Sequence, residues 1–287
     1  MEWIDILRCP RTGGTLHPDE TGAVVRVENT NAAYPVSDGV IDFCPESKDR
    51  IAASYDKVAS RYDSHLLSST IVTKMKGILV WGRASDCDPM EQVLSLLPDS
   101  FNGVVLDVPV GTGVFTASLY NRYPDATIVG VDCSLNMLRK AQACFREHDV
   151  RNVHLLKADV ADLPIRDASV DIVLSMNGWH AFADKDGAIA EMKRVLPAGG
   201  KLIACGYVKG ARRRSDWFVR NFGVRNGYFT PPFFTRDDLA RQFEGFTMVR
   251  QGSDQSFAWF EAAKEGNEGR PPMNDRRQFT KTDDRPQ

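Results

Sequence analysis

Residues 104–116 read VVLDVPVGTGVFT, and this stretch decides the fold of the chain. An apolar run ends in Asp107, and a short turn with Gly111 and Gly113 follows it. A helix that begins after a tight glycine turn directs free backbone N–H groups and the positive end of its dipole towards a ligand. The stretch therefore predicts a buried strand, a turn and a ligand site at the carboxyl end of that strand.

Strand-like and helix-like segments alternate after this turn. TIVGVD, NVHLLKAD, DIVLS and KLIACGY are almost continuously apolar, whereas SLNMLRKAQACFREH and DGAIAEMKRVL have amphipathic helical spacing. Such alternation is typical of a parallel sheet covered by helices on both faces. TMVRQG and SFAWFEAAK then follow each other closely, which predicts an antiparallel hairpin at the sheet edge. We therefore predict a Rossmann-like, doubly wound α/β domain over residues 49–265, with a mostly parallel seven-stranded sheet.

Two segments flank this domain. Residues 1–48 hold several short strand-like runs separated by glycine turns, which predicts a small strand-rich module. Residues 266–287 have almost no apolar content, which predicts a disordered tail.

The composition restricts the partners. The chain has 287 residues, 26% of them charged, and a formal net charge of −2, so any attraction to nucleic acid or to an anionic membrane must be local. No apolar run reaches the roughly 18 residues that span a bilayer, and the acidic N-terminus does not resemble a secretory signal. We expect a cytoplasmic protein with neither a membrane nor a nucleic-acid partner, and we leave a homodimer open.

Two adenosine-bearing ligands compete for the glycine turn. A dinucleotide turn requires G-x-G-x-x-G, and on residues 109–114 two of those three glycines are missing. The frame acid-x-G-x-G-x-G instead finds Asp107, Gly111 and Gly113, with Pro109 at the first glycine position. The turn therefore favours S-adenosylmethionine over a dinucleotide.

In this frame the sequence resembles class I S-adenosylmethionine-dependent methyltransferases, above all the ubiquinone/menaquinone-biosynthesis C-methyltransferases and related small-molecule enzymes. The resemblance covers about residues 50–264. It includes, in order, VGVDCSLNML (129–138), KADVADLPI (157–165), DIVLSMNGWHAF (171–182) and EMKRVLPAGGKLIA (191–204). It implies S-adenosylmethionine as the cofactor and methyl transfer as the activity.

The resemblance also implies a cofactor site along the carboxyl ends of the first strands. Asp132 is expected to accept hydrogen bonds from both ribose hydroxyls, and Asp107 to reach the methionine ammonium. Asp159 and the Val160 N–H are expected to bind adenine, and Met137 either packs on the adenine or belongs to the core. The expected cofactor-binding residues are Asp107, Val108, Pro109, Gly111, Gly113, Asp132, Cys133, Met137, Asp159, Val160, Ser175 and Asn177.

Pro109 departs from the family's pattern. It has no N–H to donate, and it restricts Val108 to extended geometry. We expect the turn to form, with the methionine end of the cofactor seated differently or bound less tightly. A non-catalytic relative is left open for this reason.

The acceptor is expected beyond the carboxyl ends of the strands. His180 is interpreted as the catalytic base, with a structural histidine as the alternative. Trp179 either lines the acceptor pocket or packs in the core, and Arg214 either grips an acidic group or RNA or lies on a solvated helix face. Tyr55 and Tyr62 lie in SYDKVASRYD, which resembles the family's Y-D-x-x-A-x-x-Y-D segment, so we predict that they contact the acceptor.

The N-terminal segment has a resemblance of its own. LRCPRTGGTL (7–16) and AYPVSDGVIDF (33–43) resemble the zinc-ribbon-derived domain that acts as a separate activator of tRNA and protein methyltransferases. A closed zinc site uses four ligands, and the segment offers Cys9, Cys44 and His17, so we predict no metal. A small aromatic or apolar acceptor is the first choice of substrate, and RNA methylation is the runner-up.

Overall fold

The computed structural model describes residues 3–44, 80–82 and 87–266. The strands are β1 Leu16–Pro18, β2 Val24–Val27, β3 Ala33–Ser37, β4 Val40–Asp42, β5 Val104–Asp107, β6 Thr127–Asp132, β7 Val153–Lys157, β8 Ile172–Met176, β9 Lys201–Tyr207, β10 Phe246–Asp254 and β11 Phe257–Lys264. The helices are α1 Cys87–Leu94, α2 Ala117–Tyr120, α3 Leu135–Glu147, α4 Lys185–Val195, α5 Arg213–Phe218 and α6 Arg236–Gln242. A 3₁₀ turn, Trp3–Ile6, precedes β1, and a π-helical turn, Val219–Gly223, continues α5.

All eleven strands belong to one sheet, in the order β1-β2-β3-β4-β7-β6-β5-β8-β9-β11-β10. The five strands from β7 to β9 in this order are parallel, and every residue of β8 is buried. Burial on both faces explains why these strands read as continuous apolar runs. The predicted α/β sheet with helices is present as a mixed sheet of eleven strands, in which these five strands are parallel to one another.

The strand order reverses at β5, so the carboxyl end of β5 is the topological switch point of the sheet. From β5 the chain proceeds to β6 and β7 on one side, and β8 and β9 lie on the other. A crevice forms at such a point in open α/β sheets, and ligands bind there. The VVLDVPVGTGVFT stretch therefore lies where the fold leaves room for a ligand.

The predicted C-terminal hairpin is present. β11 pairs antiparallel with both β9 and β10, with Phe257 opposite Tyr207, and β10 forms the sheet edge.

The strands of the N-terminal segment, predicted as a small strand-rich module, pair with the main sheet. β4 pairs in parallel with β7, with Val40 opposite Leu155 and Asp42 opposite Lys157. The buried Lys157 ammonium donates to Asp42 Oδ2 at 3.0 Å. One hydrophobic cluster includes Ile6 and Val25 together with core residues of the main domain. The N-terminal strands therefore extend the main sheet, because the open edge of β7 offers unpaired backbone groups that β4 can satisfy.

A second contact holds the N-terminal segment to the main domain. Leu7 forms an antiparallel bridge with Ile165, and the Arg166 N–H donates to the Ile6 carbonyl at 2.8 Å. The Trp3 ring stacks on His154 with centroids 4.1 Å apart. Burial lowers the pKa of His154 to about 4, so the stacked imidazole is neutral at physiological pH. The loop that follows β7 is thus fixed from the N-terminal side.

Some predictions concern residues that the structure does not describe. The domain boundary at residue 48, Tyr55 and Tyr62 lie outside the described residues, as does the tail after its first residue, Gly266. Within the described part of the chain, no helix is long and apolar enough to cross a membrane.

Candidate cofactor and acceptor site

Three carboxylates lie in a row at the carboxyl edge of the sheet. Asp107 ends β5, Asp132 ends β6, and Asp159 lies two residues beyond β7. Because the three strands are parallel neighbours, their carboxyl ends share one edge. Such a row suits a ligand that carries positive charge and hydroxyl or amino donors.

Asp107 is the most buried of the three. Thr116 Oγ1 and the Tyr120 hydroxyl donate to its Oδ2 at 3.1 and 2.7 Å. Burial raises the pKa of Asp107 to about 7; the Tyr120 and Thr116 hydrogen bonds oppose this rise, and the Asp132 charge adds to it. A cation beside this carboxyl group would favour its ionised form.

Asp132 connects the glycine turn to α3. Its Oδ2 accepts from the Gly111 N–H at 3.0 Å, and its Oδ1 accepts from the Ser134 N–H at 2.9 Å. Ser134 caps α3, since its hydroxyl accepts from the Met137 N–H at 3.2 Å. Two backbone N–H groups thus fix the orientation of the Asp132 carboxylate.

The turn requires glycine at two positions. Gly111 and Gly113 have φ of 56° and 71°, in the left-handed region that L side chains rarely adopt. A Cβ on Gly113 would come within 2.8 Å of the Phe145 ring, whereas a Cβ on Gly111 would meet nothing within 4 Å. The side of Gly111 is therefore open space, and α3 packs closely against Gly113.

The turn forms with Pro109 in place, as expected. The Val108–Pro109 peptide bond is cis, and the Val108 N–H donates to the Leu174 carbonyl at 2.9 Å, so the pairing of β5 with β8 continues into the turn. The Val108 side chain is buried in the core. A Cβ on Gly178 would lie 3.0 Å from Pro109 Cδ. Gly178 thus leaves room for the proline ring.

Ser175 provides a buried hydroxyl group. The residue is 1% exposed, and among the described residues its Oγ has no hydrogen-bond partner. It lies in β8, next to β5, and a buried hydroxyl left unpaired at a crevice indicates a missing polar partner. Asn177, two residues on, has φ of 58° and donates through its backbone N–H to the Cys205 carbonyl at 2.9 Å.

Four of the expected cofactor-binding residues belong to the side of the site where adenine is predicted to bind. Asp159 Oδ1 accepts from the Ala161 N–H at 2.9 Å, so the loop after β7 has a fixed shape. Burial raises the pKa of the Cys133 thiol, and the charges of Asp132 and Asp159 add to this rise. Met137 is buried, yet it is in neither of the two hydrophobic clusters. Val160 is half-buried and packs against the larger cluster.

His180 does not have the environment of a general base. The Tyr207 N–H donates to its Nδ1 at 3.1 Å, and its ring stacks on Phe229 with centroids 4.6 Å apart. Burial lowers the pKa of His180 to about 3, and the Lys185 charge adds to this. These contacts favour the structural alternative over the catalytic role predicted for His180.

Trp179 packs in the core, which favours the second of the two alternatives that the sequence leaves open for it over a place in the acceptor pocket. It is 2% exposed, and its Nε1 donates to the Tyr207 carbonyl at 2.8 Å. Its ring stacks on Phe260 of β11, with centroids 5.8 Å apart. The indole is buried against Phe260 because β11 pairs with the edge of β9, a pairing that the loop sequence around Trp179 does not reveal.

A group of aromatic rings lies beyond the carboxyl end of β9. Trp81 contacts Tyr207, Phe218 and Phe229, with centroids 6.3, 5.9 and 6.1 Å apart. Phe233 contacts Tyr207 at 5.5 Å. Arg214 does not join them, because it lies exposed on α5.

Sequence reasoning missed three contributors to the site. Thr116 and Tyr120 hold Asp107, and their four-residue spacing on the helix after the turn is the signal that could have identified them. Trp81 stands in a segment without clear periodicity, so no sequence signal pointed to it.

The central part of the chain is similar to known methyltransferases. The family described as "Methyltransferase domain" matches residues 105–200. The demethylmenaquinone methyltransferase of Corynebacterium kroppenstedtii is 32% identical over 166 residues, which are 56% of this chain and 61% of that protein. The malonyl-[acyl-carrier protein] O-methyltransferase of Geobacter sulfurreducens is 38% identical over 160 residues, which are 52% and 58%. The matches span 36% to 61% of the length of these and similar curated relatives.

A solved structure shares the fold at low identity. The [4+2]-cyclase SpnF superposes with a TM-score of 0.59 at 17% identity, covering 77% of this chain and 98% of that chain. At this identity the likeness concerns the fold alone. The family match and the methyltransferase relatives agree on the chemistry: residues 105–200 match a methyltransferase domain, and the two relatives are named as methyltransferases.

Proposed function

We propose that this chain transfers a methyl group from S-adenosylmethionine to a small apolar or aromatic acceptor. The observation that carries the proposal is the row of Asp107, Asp132 and Asp159 beside a left-handed glycine turn. The names of the relatives agree with it, since one is a demethylmenaquinone methyltransferase.

The residues present fit the cofactor. Three carboxylates match a ligand with two cationic centres and several donors, and the orphan Ser175 hydroxyl supplies a further polar contact. Asp132 would accept from the ribose hydroxyls, Asp159 from the adenine amino group, and Asp107 from the methionine ammonium. S-adenosylmethionine supplies an electrophilic methyl group on a positively charged sulfur.

The chain's own contribution is positioning. In-line displacement is accelerated mainly by holding the two reacting atoms in line within a closed site. His180 is neutral at physiological pH, and its Nδ1 accepts from the Tyr207 N–H, so it holds the loop after β8 against β9. We propose this positioning role for His180 in place of proton abstraction.

The acceptor pocket is proposed at the aromatic rings beyond β9. Trp81, Phe229 and Phe233 are half-buried there and pack around the buried Tyr207, and the neutral His180 adds no charge. Such a lining favours an aromatic or apolar acceptor over a charged one.

A second candidate is binding or catalysis without methyl transfer. Pro109 stands in the turn where the family has glycine, and a solved neighbour with this fold is named a [4+2]-cyclase. The fold therefore does not fix the reaction.

A methyl-labelling screen tests the proposal. The full chain is incubated with methyl-labelled cofactor and phenols, quinones, thiols, amines or total RNA. Label in a small acceptor is the expected result, and label only in RNA would overturn the choice of acceptor. Binding of S-adenosylhomocysteine without any label transfer would support the second candidate.

Two carboxylate variants accompany the labelling screen: one is expected to be inactive, and the other is its matched control. Asp132→Ala should abolish labelling and weaken binding of S-adenosylhomocysteine, because the ribose loses its acceptor. Asp171→Ala removes a carboxylate that accepts from the Val104 N–H at 2.8 Å at the opposite end of β5. It should retain cofactor binding. Equal losses in both variants would refute the assigned role of Asp132.

A further inference from the structure

One outward helix face combines exposed aromatic rings with positive charge. Three large apolar side chains are exposed in the described part of the chain: Trp217 at 54%, Phe222 at 48% and Val249 at 56%. Two of them lie within six residues of each other, on α5 and the π-helical turn that follows. Their rings contact each other with centroids 5.5 Å apart. Single exposed apolar residues need no explanation, but a contiguous pair does.

Arginines surround these rings. We define the basic aromatic patch as Trp217 and Phe222 together with the exposed residues Arg213, Arg214, Arg220 and Arg225. In residues 206–235 the sole acid is Asp216, and its Oδ1 accepts from the Tyr207 hydroxyl at 2.6 Å. The patch is therefore strongly positive, although the chain as a whole has a net charge of −2.

The inner face of the same element is fixed to the protein. Ser215 is fully buried, and its Oγ donates to the Val80 carbonyl at 2.7 Å. Val219 is 1% exposed. The aromatic and basic side chains therefore project from a helix that is anchored on its other side.

We propose that the basic aromatic patch docks this protein on the surface of an anionic lipid bilayer. Trp217 and Phe222 insert at the level of the headgroups, and the arginines bind lipid phosphates. Helices that lie in the membrane interface combine Trp or Phe with Lys or Arg in this way, and anionic lipids attract basic residues near the surface. The overall charge predicted no membrane partner, and the patch is the local exception.

The geometry favours lipid over single-stranded RNA. RNA bases stack on open aromatic faces. Here Phe222 stacks on Phe218 with centroids 5.7 Å apart, and Trp217 meets it edge to face. The rings cover one another and form an apolar protrusion, which suits acyl chains.

A second copy of the chain fits the patch less well than lipid does. A symmetric contact would bring the same arginines face to face, and like charges repel across such an interface.

The patch adjoins the proposed acceptor side. Phe218, next to Trp217, contacts Trp81 at 5.9 Å, and α5 follows the carboxyl end of β9. Docking would turn this edge towards the bilayer, within reach of apolar molecules dissolved in it. Docking does not depend on methyl transfer, so the two proposals can fail separately.

Vesicle co-sedimentation with the full chain tests the docking. We expect binding to vesicles of phosphatidylcholine that contain phosphatidylglycerol, weakening as salt is added, and little binding to phosphatidylcholine alone. Trp217→Ala with Phe222→Ala should weaken binding at least about tenfold. Arg213→Gln with Arg220→Gln should weaken it by roughly 25-fold, since each arginine accounts for about a fivefold change.

A matched control variant carries the same kinds of substitution outside the basic aromatic patch. Val249→Ala with Arg122→Gln deletes an exposed apolar and an exposed basic side chain outside the patch and should bind vesicles like the wild type. All variants should keep the thermal midpoint and the S-adenosylhomocysteine affinity of the wild type, which separates lost docking from lost folding.

Four outcomes would overturn the proposal. The first is a wild type that does not bind anionic vesicles at low salt. The second is a control variant that loses as much binding as the patch variants. The third is binding of single-stranded RNA without binding of vesicles. The fourth is a dimer in gel filtration that the patch variants dissociate while vesicle binding is absent.

Discussion

Tyr120→Phe should shift the pH dependence of cofactor binding to higher pH. The Tyr120 hydroxyl donates to Asp107 Oδ2 at 2.7 Å, in a site where burial raises the pKa of Asp107 to about 7. A hydrogen bond to a charged group contributes about 2 kcal/mol, and 1.36 kcal/mol corresponds to about one pKa unit. Loss of the hydroxyl should therefore raise the pKa of Asp107 by about 1.5 units.

The sign of the effect follows from which form binds the cofactor. In the proposed binding mode the ionised carboxylate pairs with the methionine ammonium, so we expect affinity to rise as the pH increases through the pKa of Asp107. At pH 7 the wild type is about half ionised, whereas the variant is only a few per cent ionised, which makes its binding roughly tenfold weaker. The loss should shrink as the pH is raised towards 8.5.

Calorimetric titration with S-adenosylhomocysteine between pH 6 and 8.5 measures this shift. Tyr123→Phe is the matched control, because Tyr123 is also buried and its hydroxyl donates to the Pro98 carbonyl, away from Asp107. Its pH profile should equal that of the wild type. Identical profiles for Tyr120→Phe and Tyr123→Phe would show that Asp107 does not control binding.

Three further changes test the packing around the site. Gly113→Ala should destabilise the fold by about 2 kcal/mol and weaken cofactor binding. Alanine is strained at this φ, and its Cβ would collide with the Phe145 ring. Urea unfolding measures the loss of stability. Trp179→Ala should cost about 3–5 kcal/mol in the same assay, whereas a pocket residue would change acceptor affinity at unchanged stability. Lys157→Ala should lower the free energy of unfolding by about 1–2 kcal/mol, since it removes the ammonium group that pairs with Asp42. A urea midpoint equal to that of the wild type would mean that this ion pair does not contribute.

The sequence predicted those features that local patterns encode. The parallel strands follow from continuous apolar runs such as TIVGVD, and the hairpin follows from the short interval between TMVRQG and SFAWFEAAK. The pairing of Asp42 with Lys157 joins residues far apart in the chain, and no local periodicity reports it. The two alternatives for Trp179 stay open in the sequence for a related reason, since its burial depends on a strand about 80 residues later.

Strand β4 occupies the edge of β7 as a covalently linked part of the same polypeptide. A neighbour supplied by a separate subunit would dissociate on dilution, whereas a tethered strand has a high effective concentration at every protein concentration. The support that β4 gives to the loop carrying Asp159 is therefore independent of how much protein the cell makes, and a foreign strand would have to displace β4 to reach this edge.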